Sequence, residues 1–246
     1  MAWPRNVPGV GIALTDRQRF AVAHRILAGE GWQENLAGHI TWDRSDGTYF
    51  CTPWGRWWEE VRASDVMTVD GNGEIVDGPW DVTPAVHIHT EIHRARNDAR
   101  VIVHGHPFAA TALACMGQPL VISHQNSCIF DGELVTVDEY DGTIESSRTA
   151  ASLTARIGAA TGIQLAHHGA IVIAPTIEEA CYKAATYERM ARFTLAALQA
   201  GTAAVSLPLA AADRAALKHE LRTNAPDAYW DGAARGALRS GPDALD

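Results

Sequence analysis

Apolar residues recur along this chain first at helical and then at strand spacing. Phe20, Ala23, Ile26 and Leu27 form a stripe behind Thr15-x-x-Gln18, a capping box. That pattern predicts a helix from Thr15 that ends near Gly29-Glu30-Gly31. Shorter runs at 38–43, 48–52 and 65–69 predict strands. Asp70-Gly71-Asn72-Gly73 predicts a hairpin turn, because its glycines tolerate positive φ. A helix is expected from Pro84 to about Arg96, with Thr83 as N-cap and the proline in the first turn, where no amide donor is needed. Residues 100–106 read as a buried strand ending at Pro107, followed by a short helix (108–116), a strand (119–124), a helix (146–160) and a strand (163–173). Thr176 caps a long helix through Leu198, closed by Gly201, with Ala180, Ala184, Tyr187, Ala191, Leu195 and Leu198 at helical spacing. Residues 1–14 are expected to form an arm, and the segment beyond 205 to hold one short helix in a ragged tail. With no repeat or linker in sight, the chain reads as one domain over 1–246 with its core at 15–200.

Composition narrows the function classes. A formal net charge of -9 and the absence of any Lys/Arg cluster argue against nucleic-acid binding. Cys51, Cys115, Cys128 and Cys181 are scattered without a CxxC pair, which suits a reducing cytosol. No signal peptide or membrane-spanning apolar run is visible, so a cytoplasmic protein is expected.

The candidate chemistry lies in the histidines. His104-Gly105-His106 ends an apolar strand, where residues two apart share a face and both imidazoles can converge on one ion. Gly105 lets other backbone approach closely. A second pair, His167-His168 before Gly169, sits inside another predicted buried strand, Gln164 to Ile173. Imidazoles deep in core strands need partners, which either a shared cation or backbone hydrogen bonds supply.

The order of the motifs adds a resemblance. PAVHIHTEIHRARNDARVIVHGHP at 84–107 and LAHHGAIV at 165–172 resemble the signature of the class II aldolase/adducin family, and AGHIT (37–41) and CTPWG (51–55) fall where that family has its upstream loops. The resemblance covers roughly 15–200. It implies a three-layer α/β/α fold with a central, mainly antiparallel sheet. It also implies one divalent metal per subunit (Zn, Mn, Fe or Co) on His104, His106 and His168. A homotetramer with intersubunit sites follows too, 205–246 lying at an interface.

The sequence departs from the sugar-phosphate aldolases at two places. Their catalytic glutamate falls at Ala85, and the nearest carboxylate on the helix, Glu91, lies off that face. Trp54 and Thr83-Pro84 stand where those aldolases use small residues to hold phosphate, and proline removes an amide donor. In their place stands Trp54-Gly55-Arg56-Trp57-Trp58, flat apolar walls around a guanidinium suited to a carboxylate. The alternative is a loop packed against a neighbouring subunit. The expected activity is decarboxylation of a hydroxylated aromatic or pyridine carboxylate or dicarboxylate, as in the decarboxylating branch that the sequence resembles. Arg56, His39 and His89 are the candidate catalytic residues. Trp54, Gly55, Arg56, Thr83 and His124 are the candidate substrate contacts, and His87 is a further proton-donor candidate. Other readings are a non-haem iron oxygenase, aldol cleavage of a non-phosphorylated substrate, and a non-catalytic adducin-like module.

Overall fold

A computed structural model of the chain describes residues 8–139, 142 and 146–246. The first seven residues of the expected N-terminal arm lie outside that set. Helix α1 (Asp16–Gly29) begins on the expected capping box, with the Thr15 hydroxyl accepting from Gln18 and the Gln18 side chain closing back on Thr15. Strands β1 (His39–Asp43), β2 (Thr48–Cys51), β3 (Met67–Asp70) and β4 (Ile75–Asp77) follow as an antiparallel meander. The Asp70–Gly73 turn joins β3 to β4 as its glycines suggested.

Next come α2 (Val86–Ala95), β5 (Val101–Gly105), α3 (Phe108–Cys115), β6 (Leu134–Val137), α4 (Ser147–Ile157), β7 (Gly162–Leu165), β8 (Gly169–Ala174), α5 (Ile177–Gln199) and α6 (Ala211–Ser240). The eight strands form one sheet in the order β4-β3-β2-β1-β5-β8-β7-β6, antiparallel throughout except for the β6–β7 pair.

Alternation in the central strands separates two layers of helix. Val101 and Val103 of β5 and Ala170, Val172 and Ala174 of β8 face the larger core, built with α1, α3, α5 and α6. Ile102, Ile171 and Ile173 face the other side, against Ile88 and Ile92 of α2 and Leu153 and Ile157 of α4. This is the expected three-layer α/β/α arrangement. Among the described residues no helix is long and apolar enough to cross a membrane.

Four expectations are corrected. Residues 119–124 form no strand; the edge strand is β6, which pairs parallel with β7. The single strand expected at 163–173 is a hairpin, since the chain turns at Ala166–His168 with His167 at φ 56°. Gln164 pairs with Ala170 across that hairpin, so a continuous apolar run concealed a reversal. Helix α2 starts at Val86 rather than Pro84, and the Thr83 hydroxyl accepts from Ala85 within the preceding turn instead of capping the helix. The segment beyond 205 is a 30-residue helix that packs Leu221, Ala225, Trp230 and Ala234 into the larger core. Its alanine content supports that helix despite the internal Pro226, and its sparse large apolar residues concealed it.

Candidate metal centre and its histidine neighbours

The end of β5 and the β7–β8 turn bring three imidazoles together. One ligand atom from each of His104, His106 and His168 lies within 4.8 Å of the other two. The ring centroids are 4.9–5.2 Å apart. Close backbone approach makes this possible at two glycines. A methyl on Gly105 would sit 2.5 Å from the Trp32 carbonyl oxygen, and one on Gly169 would sit 2.5 Å from both the Gly105 oxygen and the His106 ring. The His106 amide donates to the same Trp32 carbonyl at 3.3 Å.

Two of the three rings are fixed through their Nδ1 atoms. His104 Nδ1 lies 3.0 Å from the Ala170 carbonyl, which only accepts, so Nδ1 carries the proton and Nε2 is bare. His106 Nδ1 lies 2.8 Å from Glu34 Oε2, while its Nε2 is buried without a partner. Burial, then the neighbouring histidines, holds His104 well below the usual imidazole range. Burial and His106 bring His168 down to about 4. The bare His104 Nε2, with ring nitrogens of His106 and His168 converging on the same point, fits a first-row divalent ion. Among the described residues no carboxylate joins this cluster.

Glu34 was not legible in the sequence as a partner. It lies in an irregular segment held by the Glu34–Ala37 bridge, and no spacing ties it to His106. Carboxylates that bind a ligand histidine's outer nitrogen orient the ring and raise its basicity. Glu34→Gln should weaken metal binding by about 10–100-fold, as measured by competition with a chelator. Unchanged affinity would show that the contact is incidental.

The surroundings separate the other expected site residues. His39 lies opposite His104 in the β1–β5 register, the two rings edge-to-face with centroids 5.4 Å apart. It stacks on His89 of α2 at 3.9 Å, and the Nε2 atoms of both rings are buried without partners. Burial brings His39 to about 3 and also lowers His89, with neighbouring imidazoles adding to both shifts. Arg56 is committed elsewhere: its guanidinium pairs with Asp65 at 3.0–3.3 Å and stacks over Trp80, whose indole N–H also reaches Asp65. That arrangement explains the basic residue in its aromatic segment as a structural tie.

Trp54 and Gly55 are exposed on the same loop, which the Trp54 amide fastens to the Asp81 carbonyl. Thr83 lies in the turn before α2. His124 packs edge-on against Phe193 of α5 at 4.9 Å. Among the described residues no hydrogen bond or ring contact joins Trp54, Arg56, Thr83 or His124 to the triad. Glu91 is held by Arg94 through an ion pair one turn along α2 and does not join the triad. A cleft of about 440 Å³ opens beside the triad, lined by His106, Glu34, Phe108, Thr111 and Cys115. Phe108, 77% exposed, presents a flat apolar wall there.

Comparison with known proteins agrees with this fold. The family model described as "Class II Aldolase and Adducin N-terminal domain" matches residues 18–195. A 4-hydroxy-3-prenylphenylpyruvate oxygenase/4-hydroxy-3-prenylbenzoate synthase of Streptomyces roseochromogenus subsp. oscitans is 31% identical over 170 residues. The decarboxylase NovR of Streptomyces niveus is 29% identical over 170 residues. Each alignment takes in 67% of this chain but only 61% and 63% of those relatives. A 5-methylthioribulose-1-phosphate/5-deoxyribulose-1-phosphate aldolase of Rhodospirillum rubrum is 32% identical over 75% of this chain and 81% of its own length. Among solved structures, an aldolase II superfamily protein from Pseudomonas syringae superposes with a TM-score of 0.81 at 26% identity, covering 94% of both chains.

Proposed function

The chain belongs to the class II aldolase and adducin family, and from that premise we propose that it is a metal-dependent carbon–carbon lyase releasing CO₂ from a hydroxylated aromatic or pyridine carboxylate. The observation that carries this reading is a three-histidine cluster with no carboxylate in it, with Ala85 where the family resemblance puts the aldolases' glutamate. Aldol cleavage of a sugar phosphate needs a group there to move the substrate's proton, and alanine moves none. A ring carboxylate needs less. It leaves as CO₂, its bonding pair stays on the ring carbon, and one proton fills that position.

A divalent ion held by His104, His106 and His168 supplies Lewis acidity toward a substrate oxygen. The chain itself supplies two buried imidazoles with free Nε2 atoms, His39 and His89, beside His104. They are the groups we assign to proton movement. Phe108 and the 440 Å³ cleft give a planar ring a place to lie. The Streptomyces niveus relative is named a decarboxylase. The reading also implies a homotetramer with shared sites and a cytoplasmic setting.

A panel of dihydroxyphthalates, hydroxybenzoates and hydroxypyridine dicarboxylates tests this, using protein reconstituted anaerobically with Mn, Fe, Co or Zn. CO₂ release that disappears in His104→Ala is the expected result. Silence across the panel with bound metal confirmed would reject it. A second reading, an iron oxygenase using the same triad, is favoured by the name of the S. roseochromogenus relative. O₂ uptake by the iron-loaded protein in air would select it.

A further inference from the structure

A hydrogen-bond chain runs from β1 into α2, and its direction is fixed from one end. His93 Nδ1 lies 2.5 Å from the Ala99 carbonyl, which only accepts, so Nδ1 carries the proton. Burial brings His93 down to about 4, so the ring is neutral near pH 7 and its Nε2 is a bare acceptor. The Thr41 hydroxyl, 2.7 Å from that Nε2, donates its one proton there. With that proton committed, Thr41 Oγ1 can only accept from His89 Nδ1, 2.9 Å away. His89 is therefore protonated on Nδ1 and bare on Nε2. That Nε2 is buried without a protein partner, on a ring that meets His104 edge-on at 6.5 Å and stacks against His39.

We propose that Thr41 and His93 are positioning residues that hold His89 as a proton acceptor, its Nε2 lone pair directed at a hydroxyl of the substrate. In the step assigned to it, the substrate O–H bond breaks and an N–H bond forms at Nε2. The products are a substrate oxyanion and an imidazolium whose Nδ1–H stays on Thr41. The same proton is then at hand for the ring carbon that loses CO₂. Had Thr41 instead pointed its hydroxyl at His89, that ring would present an N–H and act as a donor. Direction, more than proximity, gives the residue its role. Tyr49, stacked on His93 at 4.5 Å, keeps the far ring in place.

The assignment of a substrate hydroxyl rests on the function proposed above, but the tautomer does not. Long-range proton–nitrogen correlation spectra of nitrogen-15 histidine-labelled, zinc-loaded protein report it directly, with His89 identified through His89→Gln. The expected spectrum shows a protonated Nδ1 and an unprotonated Nε2 on His89. Thr41→Val, close to isosteric, should turn that single form into a mixture, and Thr41→Ser should restore it. Where a substrate has been found, Thr41→Val should lower kcat about 10–100-fold with KM little changed.

A wild-type His89 protonated on Nε2 overturns the proposal. So does a folded Thr41→Val protein with an unchanged tautomer. Because the wild-type spectrum requires neither a variant nor turnover, failure of the decarboxylase reading and failure of this proposal are separate outcomes.

Discussion

Replacing His104 with alanine should leave a folded protein that no longer holds metal and no longer turns over. The imidazole is 3% exposed and is anchored to the Ala170 carbonyl. Its loss leaves that carbonyl short of a donor, at a cost of about 1–3 kcal/mol. Most domains of this size survive such a loss. The effect on binding is larger. Losing an outer hydrogen-bond partner of a metal ligand costs about 10–100-fold, and losing the ligand itself should exceed that. Turnover should fall by roughly 10³-fold or more, the several kcal/mol that Lewis-acid stabilisation supplies. Metal content after dialysis, read beside a circular-dichroism melt, separates the two effects. Full stoichiometry with a native melt would place the ion elsewhere.

Glu188→Ala should produce the largest loss of stability among single changes near the site. This carboxylate, 2% exposed on α5, caps a helix that has no capping side chain of its own. Its two oxygens accept from the Ala109 and Ala110 amides at 3.1 Å, and Arg192 donates to it at 2.9 Å. The site is the positive end of α3, which begins two residues after His106, so charge and hydrogen bonding act together. Removing one partner of a buried ionic network costs about 3–5 kcal/mol. Urea unfolding should show most of that as a lower midpoint. A change below about 0.5 kcal/mol, the range of ordinary surface substitutions, would mean that water satisfies the freed amides. Metal affinity should fall as well, because α3 supports the His106 end of the strand.

The sequence made most of the sheet and the clustered His104, His106 and His168 legible, for a physical reason. The capping box at Thr15, the Asp70–Gly73 turn and the two-residue spacing of His104 and His106 are local signals, and local signals survive in a linear text. The β7–β8 reversal left little trace, because its turn is made by His167 at positive φ rather than by glycine or proline. The partner of Arg56 was hidden for a related reason. A guanidinium among tryptophans suits a carboxylate ligand, and the carboxylate it holds is the chain's own Asp65. Nor could Glu34, Thr41 and His93 be picked out in advance. Their roles consist of contacts to His106 and His89 across 48 to 72 residues of chain, or, for His93, through Thr41.

The hairpin that hides His168 would also give an ion held there a mechanical part. His106 and His168 lie on segments that touch only once the sheet has closed, Gly105 facing Ala170 across β5 and β8. A metal shared by them is a cross-link present in the folded chain and absent from the unfolded one. Its binding free energy is then added to that of folding. The concentration of free metal around the protein would thus set how long β5 and the hairpin stay joined, as well as how fast the site works.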